Sequence, residues 1–197
     1  MQPLFIPRPT LPDGHPHLSE LAKPVMALLR AVAATELMPR YKRVAAERKH
    51  DGTVVTEADR AVEAALVKAL PAIFNCPVLG EEMPPDEQQK RWRDADWLWC
   101  VDPLDGTGNF THGKRYFGIS VALMYQRESV FGAVFDPNAN ELFHAYRGGG
   151  ACMVDREGIA KHLQVLPSKP LSEAIIEVGR FKLLGRVKTR AIPTFTR

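Results

Sequence analysis

The sequence predicts an α+β domain in which helices pack as a layer on a mostly antiparallel sheet. Two observations carry this prediction. Apolar residues recur at helical spacing in two segments of the first 70 residues, and beyond residue 77 they form short runs of strand length. With 197 residues, 45% of them hydrophobic and 25% charged, the chain has the composition of a soluble globular protein and can bury a core without disulfides.

Two helices are predicted ahead of the strands. Apolar side chains at helical spacing place the first over residues 18–37, with Pro24 either starting or kinking it. The second is expected to start near Thr56 and to end before Pro71. Thr56 and Asp59 match a capping box at its start, which is sufficient to explain Asp59 in structural terms.

The strands follow the two helices along the chain. Their predicted ranges are 77–79, 97–101, 117–125, 129–135, 141–146, 151–154 and 174–178. A short polar turn between the third and the fourth range predicts a hairpin. These elements divide the chain into a Pro-rich arm over 1–17, an α+β domain over 18–172, and the start of a second domain with a basic tail over 173–197.

The distribution of charge argues against a nucleic-acid partner. Residues 180–197 hold six of the 26 Lys and Arg residues and no acid, so the first 179 residues carry 20 basic and 23 acidic side chains, a net charge of −3. The charge of +3 for the whole chain therefore comes from the tail. A short basic end is more typical of solvated chain than of a nucleic-acid footprint.

Neither a membrane segment nor a secretory signal is expected. No run approaches the roughly 18 apolar residues of a membrane helix, and the N-terminus lacks the apolar core of a signal peptide. Cys76, Cys100 and Cys152 are odd in number and far apart, which predicts free thiols and a cytoplasmic location. The apolar strand at 174–178 would need cover from the tail or from a second subunit, and we expect a homodimer.

Candidate metal ligands are concentrated in the segment DPLDGTGNF, which directly follows a buried strand. Pro103 fixes one backbone angle and is expected to turn the chain at once. The carboxylates of Asp102 and Asp105 and the carbonyl of Leu104 can then face one point. Three oxygens around one point suit a hard cation such as Mg²⁺. The alternative is a pair of adjoining turns that bind nothing.

The same segment also offers a place for a phosphate. Gly106 has no side chain, so a phosphate could approach its backbone, and a helix starting near Thr107 would direct free N–H groups at it.

Two other interpretations of this segment do not match the sequence. Residues 108–114 match GxxxxGK, but Arg115 stands where a P-loop needs Ser or Thr, and a strand pattern follows. The DxDGT motif of haloacid dehalogenase phosphatases needs carboxylates two residues apart, whereas these are three apart.

A second acidic motif, Gly80-Glu81-Glu82, follows the strand predicted at 77–79. Adjacent glutamates usually form a solvated turn. Upstream of a turn with two aspartates, they can also supply the bridging carboxylate of a two-metal site. The residues alone do not decide between a solvated turn and a bridging metal ligand.

Three motifs in this order resemble the inositol monophosphatase family. They are Asp51-Gly52 with Val55-Thr56 and Asp59, then Gly80-Glu81-Glu82, then residues 102–110. The resemblance covers about residues 18–178 and implies a fold of the inositol monophosphatase and fructose-bisphosphatase type. In that family a C-terminal α/β domain supplies a further metal ligand from a Trp-Asp dipeptide. No Trp-Asp occurs in this sequence, so that domain is expected to be largely missing.

The resemblance also implies residue roles. Four residues would supply oxygen ligands to Mg²⁺, the implied cofactor: Glu81, Asp102, Leu104 through its carbonyl, and Asp105. Four would contact the substrate, with backbone amides of the last two on its phosphate: Leu104, Asp105, Gly106 and Thr107. Three would be catalytic: Asp59, Glu81 and Thr107. Among these, Thr107 in contact with Asp59 would orient or deprotonate the attacking water, with Glu81 close by.

The implied activity is Mg²⁺-dependent hydrolysis of a small phosphate monoester, such as an inositol 1-phosphate, by metal-activated water. Sugar bisphosphates, histidinol phosphate and nucleotide 3′-phosphates are alternative substrates within the same architecture. A second hypothesis is a truncated, catalytically impaired member that serves as a remnant or as a protein-binding module. Because one metal ligand is expected to be missing, weak activity is expected from this chain.

Overall fold

The computed structural model describes residues 10–45, 47–48, 54–167 and 170–173. The chain divides into two compact units, Met1–Gln164 and Val165–Arg197, and the whole candidate site lies in the first. In the second unit the described residues include one turn of 3₁₀-helix, Leu171–Glu173. The predicted strand at 174–178, the basic tail at 180–197 and the Asp51-Gly52 pair lie outside the described residues.

The two predicted helices precede the seven-stranded sheet along the chain. Helix α1 spans Ala22–Val32 and continues as a π-helical turn over Ala33–Leu37, so the segment stays helical to its predicted end. Pro24 lies in the first turn, where its missing N–H costs little. Helix α2 spans Glu57–Ala69 and is capped by Thr56.

Nine strands are described, and seven of them form one sheet. Their bounds are β1 Glu47–Arg48, β2 Val54–Val55, β3 Val78–Gly80, β4 Trp97–Asp105, β5 Gly118–Tyr125, β6 Glu128–Asp136, β7 Glu141–Tyr146, β8 Gly150–Val154 and β9 Ala160–Leu163. Strands β3 to β9 follow each other across the sheet in sequence order. Only the β3–β4 pair of this sheet is parallel. Strands β1 and β2 form a separate antiparallel pair.

The core lies between the helices and one face of the sheet. Helix α1 packs against β6 and helix α2 against β4. Along β5, the residues at odd positions from Ile119 to Tyr125 are buried and those between them are half-buried. This alternation is expected of an antiparallel sheet with one face covered. The layered α+β prediction is therefore confirmed.

Four elements were not predicted from the sequence. Helix α3, Pro85–Asp94, contains no buried residue, so it carries no apolar period. All four residues of β9 are exposed, and β1 and β2 contain two residues each, which is too short for a pattern. Each of these elements is fixed by partners elsewhere in the chain and not by its own hydrophobic pattern.

Two predictions from composition can be compared with the described residues. All three cysteines are free thiols, as predicted. Across the described part of the chain, no helix has both the length and the apolar character needed to cross a bilayer.

Candidate active site

Strand β4 ends in a bulge that determines where its two aspartates face. Asp102 pairs with Ser120 and Asp105 with Gly118, so three steps along β4 match two steps along β5. In a regular strand, residues three apart point to opposite faces. The extra residue in the bulge restores Asp105 to the face of Asp102. It also accommodates Pro103, which could not donate a ladder hydrogen bond in an interior strand.

This bulge corrects one expectation. The sequence predicted that the strand would end at Val101 and that Pro103 would turn the chain at once. The strand instead continues to Asp105, and the chain turns at Gly106. The register of the bulge, and not a turn, returns Asp105 to the face of the strand on which Asp102 lies. Asp102 stabilises it by accepting a hydrogen bond from the Leu104 N–H at 3.1 Å.

Gly106 makes the turn between β4 and the short helix α4, Thr107–Thr111. Its φ is +90°, which is in the left-handed region that favours glycine. A Cβ at this position would lie 2.8 Å from the Tyr116 carbonyl oxygen. Asn109 stabilises the same corner by donating its side-chain amide to that oxygen at 2.7 Å. The helix start predicted near Thr107 is confirmed.

Thr107 and Asp59 are joined by a hydrogen bond across 48 residues of sequence. The Thr107 hydroxyl lies 3.1 Å from Asp59 Oδ1 and 3.0 Å from the Leu104 carbonyl oxygen. Its single proton can be given fully to only one of these acceptors, and the ionised carboxylate is the stronger. Asp59 is 2% exposed, so this bond is shielded from water.

The two carboxylate oxygens of Asp59 have different partners, one in the cap of helix α2 and one in the candidate site. Its Oδ2 accepts hydrogen bonds from the backbone N–H and the hydroxyl of Thr56, at 2.7 and 2.6 Å, which completes the capping box at the start of α2. Its Oδ1 faces Thr107. The structural and the functional interpretations of Asp59 are therefore compatible.

Gly80 is the last residue of β3 and pairs with Val101 of β4, and Glu81 and Glu82 form the turn that follows. Glu81 is exposed, and its carboxyl group lies near enough to Asp102 to raise the pKa of that residue. The turn is held by Glu63 of α2, whose Oε2 accepts the N–H of Glu82 at 2.7 Å. Glu63 was missed in the sequence; the only available signal was its position one helical turn beyond Asp59.

The pKa of Asp102 is raised by its surroundings. Burial, followed by the nearby charge of Glu81 and then of Asp105, raises the pKa of Asp102 to about 7, although the N–H of Leu104 opposes the shift. Both charged neighbours in this set are carboxylates, so they repel the ionised form of Asp102. A bound cation would relieve this repulsion.

The donor set fits Mg²⁺. Its members are all oxygens, from three carboxylates and the carbonyl of Leu104, which is 2% exposed. Oxygen-only sets are what Mg²⁺ prefers, and it commonly uses only one or two carboxylates together with water and phosphate. Within the described residues, no three His, Cys, Asp or Glu side chains are already gathered around one point.

A cleft of about 440 Å³ opens beside this site, between the turn after β4 and the residues at the end of β6 and the start of β7. Its lining includes Asp105, Gly106, Asn109, Tyr116 and Asp136. A larger cleft of about 670 Å³ lies along α3 and contains none of the seven predicted site residues. The smaller cleft is therefore the better candidate for a substrate site.

The model of the inositol monophosphatase family matches residues 17–190, which is most of the chain. The chain belongs to the inositol monophosphatase family. The resemblance inferred from three short motifs is thereby confirmed, and so is the fold type.

Individual relatives carry different names. Inositol-1-monophosphatase of Rhizobium meliloti (strain 1021) is 43% identical over 123 residues, covering 62% of this chain and 42% of that protein. Nus factor SuhB of Pseudomonas aeruginosa is 36% identical over 159 residues, covering 78% of this chain and 56% of that protein. The chain thus spans about half the length of the curated relatives it matches.

One of the solved structures similar to this chain contains a metal ion. The structure of an IMPase/NADP phosphatase complexed with Mg²⁺ and phosphate matches with a TM-score of 0.59 and 25% identity, covering 72% of this chain and 52% of that one. That protein therefore binds both Mg²⁺ and phosphate.

Proposed function

We propose that this family member hydrolyses small phosphate monoesters of the inositol 1-phosphate type in a Mg²⁺-dependent reaction with water as the nucleophile. The observation that carries the proposal is the convergence of two separate motifs at one edge of the sheet. The carboxyl group of Glu81, after β3, lies near enough to Asp102 of β4 to raise the pKa of that residue. The Thr107–Asp59 pair lies beside them.

Glu81, Asp102, Asp105 and the Leu104 carbonyl would hold the metal. When bound, Mg²⁺ neutralises the phosphate dianion and lowers the pKa of water. The chain's own residues would supply the rest. The amides of Gly106 and Thr107 would bind phosphate oxygens, and the cleft beside Asp105 would receive the alcohol part of the ester.

Thr107 would orient the attacking water. Because its hydroxyl proton is directed at Asp59 Oδ1, the lone pairs of its oxygen are available to accept a proton from water. As Thr107 accepts that proton, its own proton passes to Asp59. The second oxygen of Asp59 stays bound to Thr56, so the carboxylate cannot rotate away from Thr107.

The cysteine nearest to the site is poorly suited to act as the nucleophile. Burial raises the pKa of Cys100 to about 11, so its thiol stays protonated at neutral pH. The thiolate is the reactive form of cysteine. Water is therefore the better supported nucleophile, and free thiols are compatible with the cytoplasmic location proposed from the sequence.

The test is phosphate release by the purified chain. Inositol 1-phosphate, a sugar bisphosphate, histidinol phosphate and a nucleoside 3′-phosphate would each be assayed with Mg²⁺ and with a chelator. We expect Mg²⁺-dependent release that is lost in Asp105→Asn. Asp96→Asn is the matched control, because this exposed aspartate lies just before the opposite end of β4.

The outcomes separate the hypotheses. Chelator-insensitive release, or release unaffected by Asp105→Asn, would contradict the proposed site. Mg²⁺ binding that depends on Asp105, without hydrolysis of any ester, would favour the non-catalytic alternative. The identity of the best substrate would show whether the inositol-phosphate assignment holds.

A further inference from the structure

Helix α3 is held to the domain by polar side chains and not by burial. None of its residues, Pro85–Asp94, is buried. A short polar helix gains little stability from its own backbone, since most helices are stabilised by packing of an apolar face. The helix is nevertheless fixed by side-chain hydrogen bonds to one neighbouring segment, the edge strand β3 and the turn that follows it.

Gln88 is the centre of this attachment. Its Nε2 lies 3.0 Å from the carbonyl oxygens of Gly80 and Glu81 and 3.1 Å from that of Met83. Three surrounding acceptors require the amide nitrogen at this position, because an oxygen would face three others. The side chain thus spans the turn that carries Glu81.

The edge of β3 explains why these carbonyls are available. The Pro77 carbonyl points inward and accepts the N–H of Trp99. Because carbonyl directions alternate along a strand, those of Val78 and Gly80 point outward, where an edge strand has no partner. Arg91 accordingly donates to the Val78 carbonyl and Gln88 to that of Gly80. Within the part of the chain that the structure describes, side chains of α3 therefore take the place of a neighbouring strand.

Helix α2 holds the same turn from the other side. Glu63 is 8% exposed and accepts the N–H of Glu82 at 2.7 Å. Its carboxyl group occupies the space above Gly80, where a Cβ would lie 2.2 Å from Glu63 Cδ. The turn is therefore bound at its carbonyls by Gln88 and at its N–H by Glu63, with Glu81 between the two attachments.

We propose that Gln88 and Glu63 are positioning residues that hold Glu81 beside Asp102 and thereby set the affinity of the site for divalent cations. Glu81 is taken as a metal ligand here, as in the proposed function on which this inference rests. Partners that orient a metal ligand typically change metal affinity by about 10- to 100-fold when they are removed. Neither residue is expected to touch the metal or the substrate.

The test is Mg²⁺ affinity, measured by calorimetry on the full chain. Gln88→Met keeps the size of the side chain and removes its donors, and we expect the Kd for Mg²⁺ to rise about 10-fold or more. Gln89→Met is the matched control: it makes the same change at the adjacent, exposed position of α3 and should leave the Kd unchanged. A second variant, Glu63→Gln, should weaken Mg²⁺ binding less, because its amide oxygen can still accept the N–H of Glu82.

A double-mutant cycle distinguishes positioning from general support of the fold. If Gln88 acts through Glu81, Gln88→Met should not weaken Mg²⁺ binding further once Glu81→Gln is present. Exchange of the Glu82 amide hydrogen in metal-free protein is an independent readout. It should be slow in the wild type and faster in Glu63→Leu, since that variant lacks the acceptor.

The two proposals can fail separately. If Glu81→Gln weakens Mg²⁺ binding but Gln88→Met and Glu63→Leu do not, the positioning role is overturned and the metal site stands. If Gln88→Met weakens binding equally with and without Glu81→Gln, Gln88 does not act through Glu81 and the inference is wrong. If the wild-type chain binds no Mg²⁺, or if Glu81→Gln leaves the Kd unchanged, the assignment of Glu81 as a metal ligand is wrong. The positioning role of Gln88 and Glu63 is then wrong as well.

Discussion

The two acidic segments of the site are built by different means. The segment from Asp102 to Gly106 is positioned by backbone geometry, namely a bulge inside a central strand and a glycine at φ +90°. The turn that carries Glu81 follows an edge strand and is held by the side chains of Gln88 and Glu63. The first segment should therefore tolerate changes in its surroundings, whereas the second depends on residues that never meet the ligand.

Helix α2 connects the two segments. Asp59 reaches the β4 segment through Thr107, and Glu63, one helical turn later, reaches the turn after β3 through Glu82. Both acids are nearly or fully buried. Their spacing on one helix fixes the distance between the two halves of the site, and variants in each half can test this division.

The largest effect is expected in the backbone-built half. Thr107→Ala should lower turnover by about 10²-fold or more while leaving Mg²⁺ affinity nearly unchanged, because the hydroxyl is assigned to water and not to the metal. Steady-state kinetics and Mg²⁺ calorimetry would measure both quantities. Thr107→Ser retains the hydroxyl and should recover most of the turnover. Equal losses in both variants would contradict the assigned role.

A smaller effect is expected when the side-chain-held half is disturbed. Gly80→Ala would place a Cβ 2.2 Å from Glu63 Cδ, so Glu63 must move and release the N–H of Glu82. We expect the Kd for Mg²⁺ to rise about 10-fold. Gly132→Ala is the control, since a Cβ there would meet nothing within 4 Å. Unchanged Mg²⁺ affinity in Gly80→Ala would show that the turn needs no such support.

Asp59→Asn should separate the role of Asp59 in capping helix α2 from its role in the proposed proton relay. An amide oxygen can still accept the N–H of Thr56, so the loss of stability should be about 1 kcal/mol. Its NH₂ group would face Thr107 as a donor, so the proton acceptor of the proposed relay is removed and turnover should fall. Thermal unfolding and turnover, measured together, test this. A large fall in melting temperature with turnover retained would leave helix capping as the whole role of Asp59.

The smallest effect concerns the metal-free protein. Because the pKa of Asp102 is raised to about 7 in the folded state, its contribution to stability is present at acidic pH and is lost as pH rises from about 4 to 7. Asp102→Asn is neutral at every pH and avoids this loss. We expect its melting temperature, with chelator, to exceed that of the wild type by about 2–4 °C at pH 8 and by less at pH 5.

This pH comparison has a built-in control. Asp96→Asn removes an exposed carboxylate near the other end of the same strand and should show no such difference between pH 5 and pH 8. An equal shift for Asp102→Asn at both pH values would mean that the carboxylate cluster does not destabilise the metal-free domain.

The sequence determined the elements that have a strong hydrophobic period. Both long helices and six of the predicted strands are present, within a few residues of their predicted bounds. These elements bury an apolar face, and that face is recorded in residue spacing. The chemistry of the site could also be predicted, because acid-rich motifs are recognised from residue type and order alone. Two such motifs after strands and one at a helix start together indicated the family.

Only the tertiary structure decided how the site is held. Helix α3 has no apolar face, so nothing in its own sequence predicted it. The convergence of Asp102 and Asp105 depends on a bulge whose register is set by pairing with β5. Gln88 and Glu63 act on a turn 5 to 19 residues away, through hydrogen bonds to main-chain groups that any residue could offer. Local pattern cannot encode such contacts, because their partners come together only when the sheet and helices have assembled.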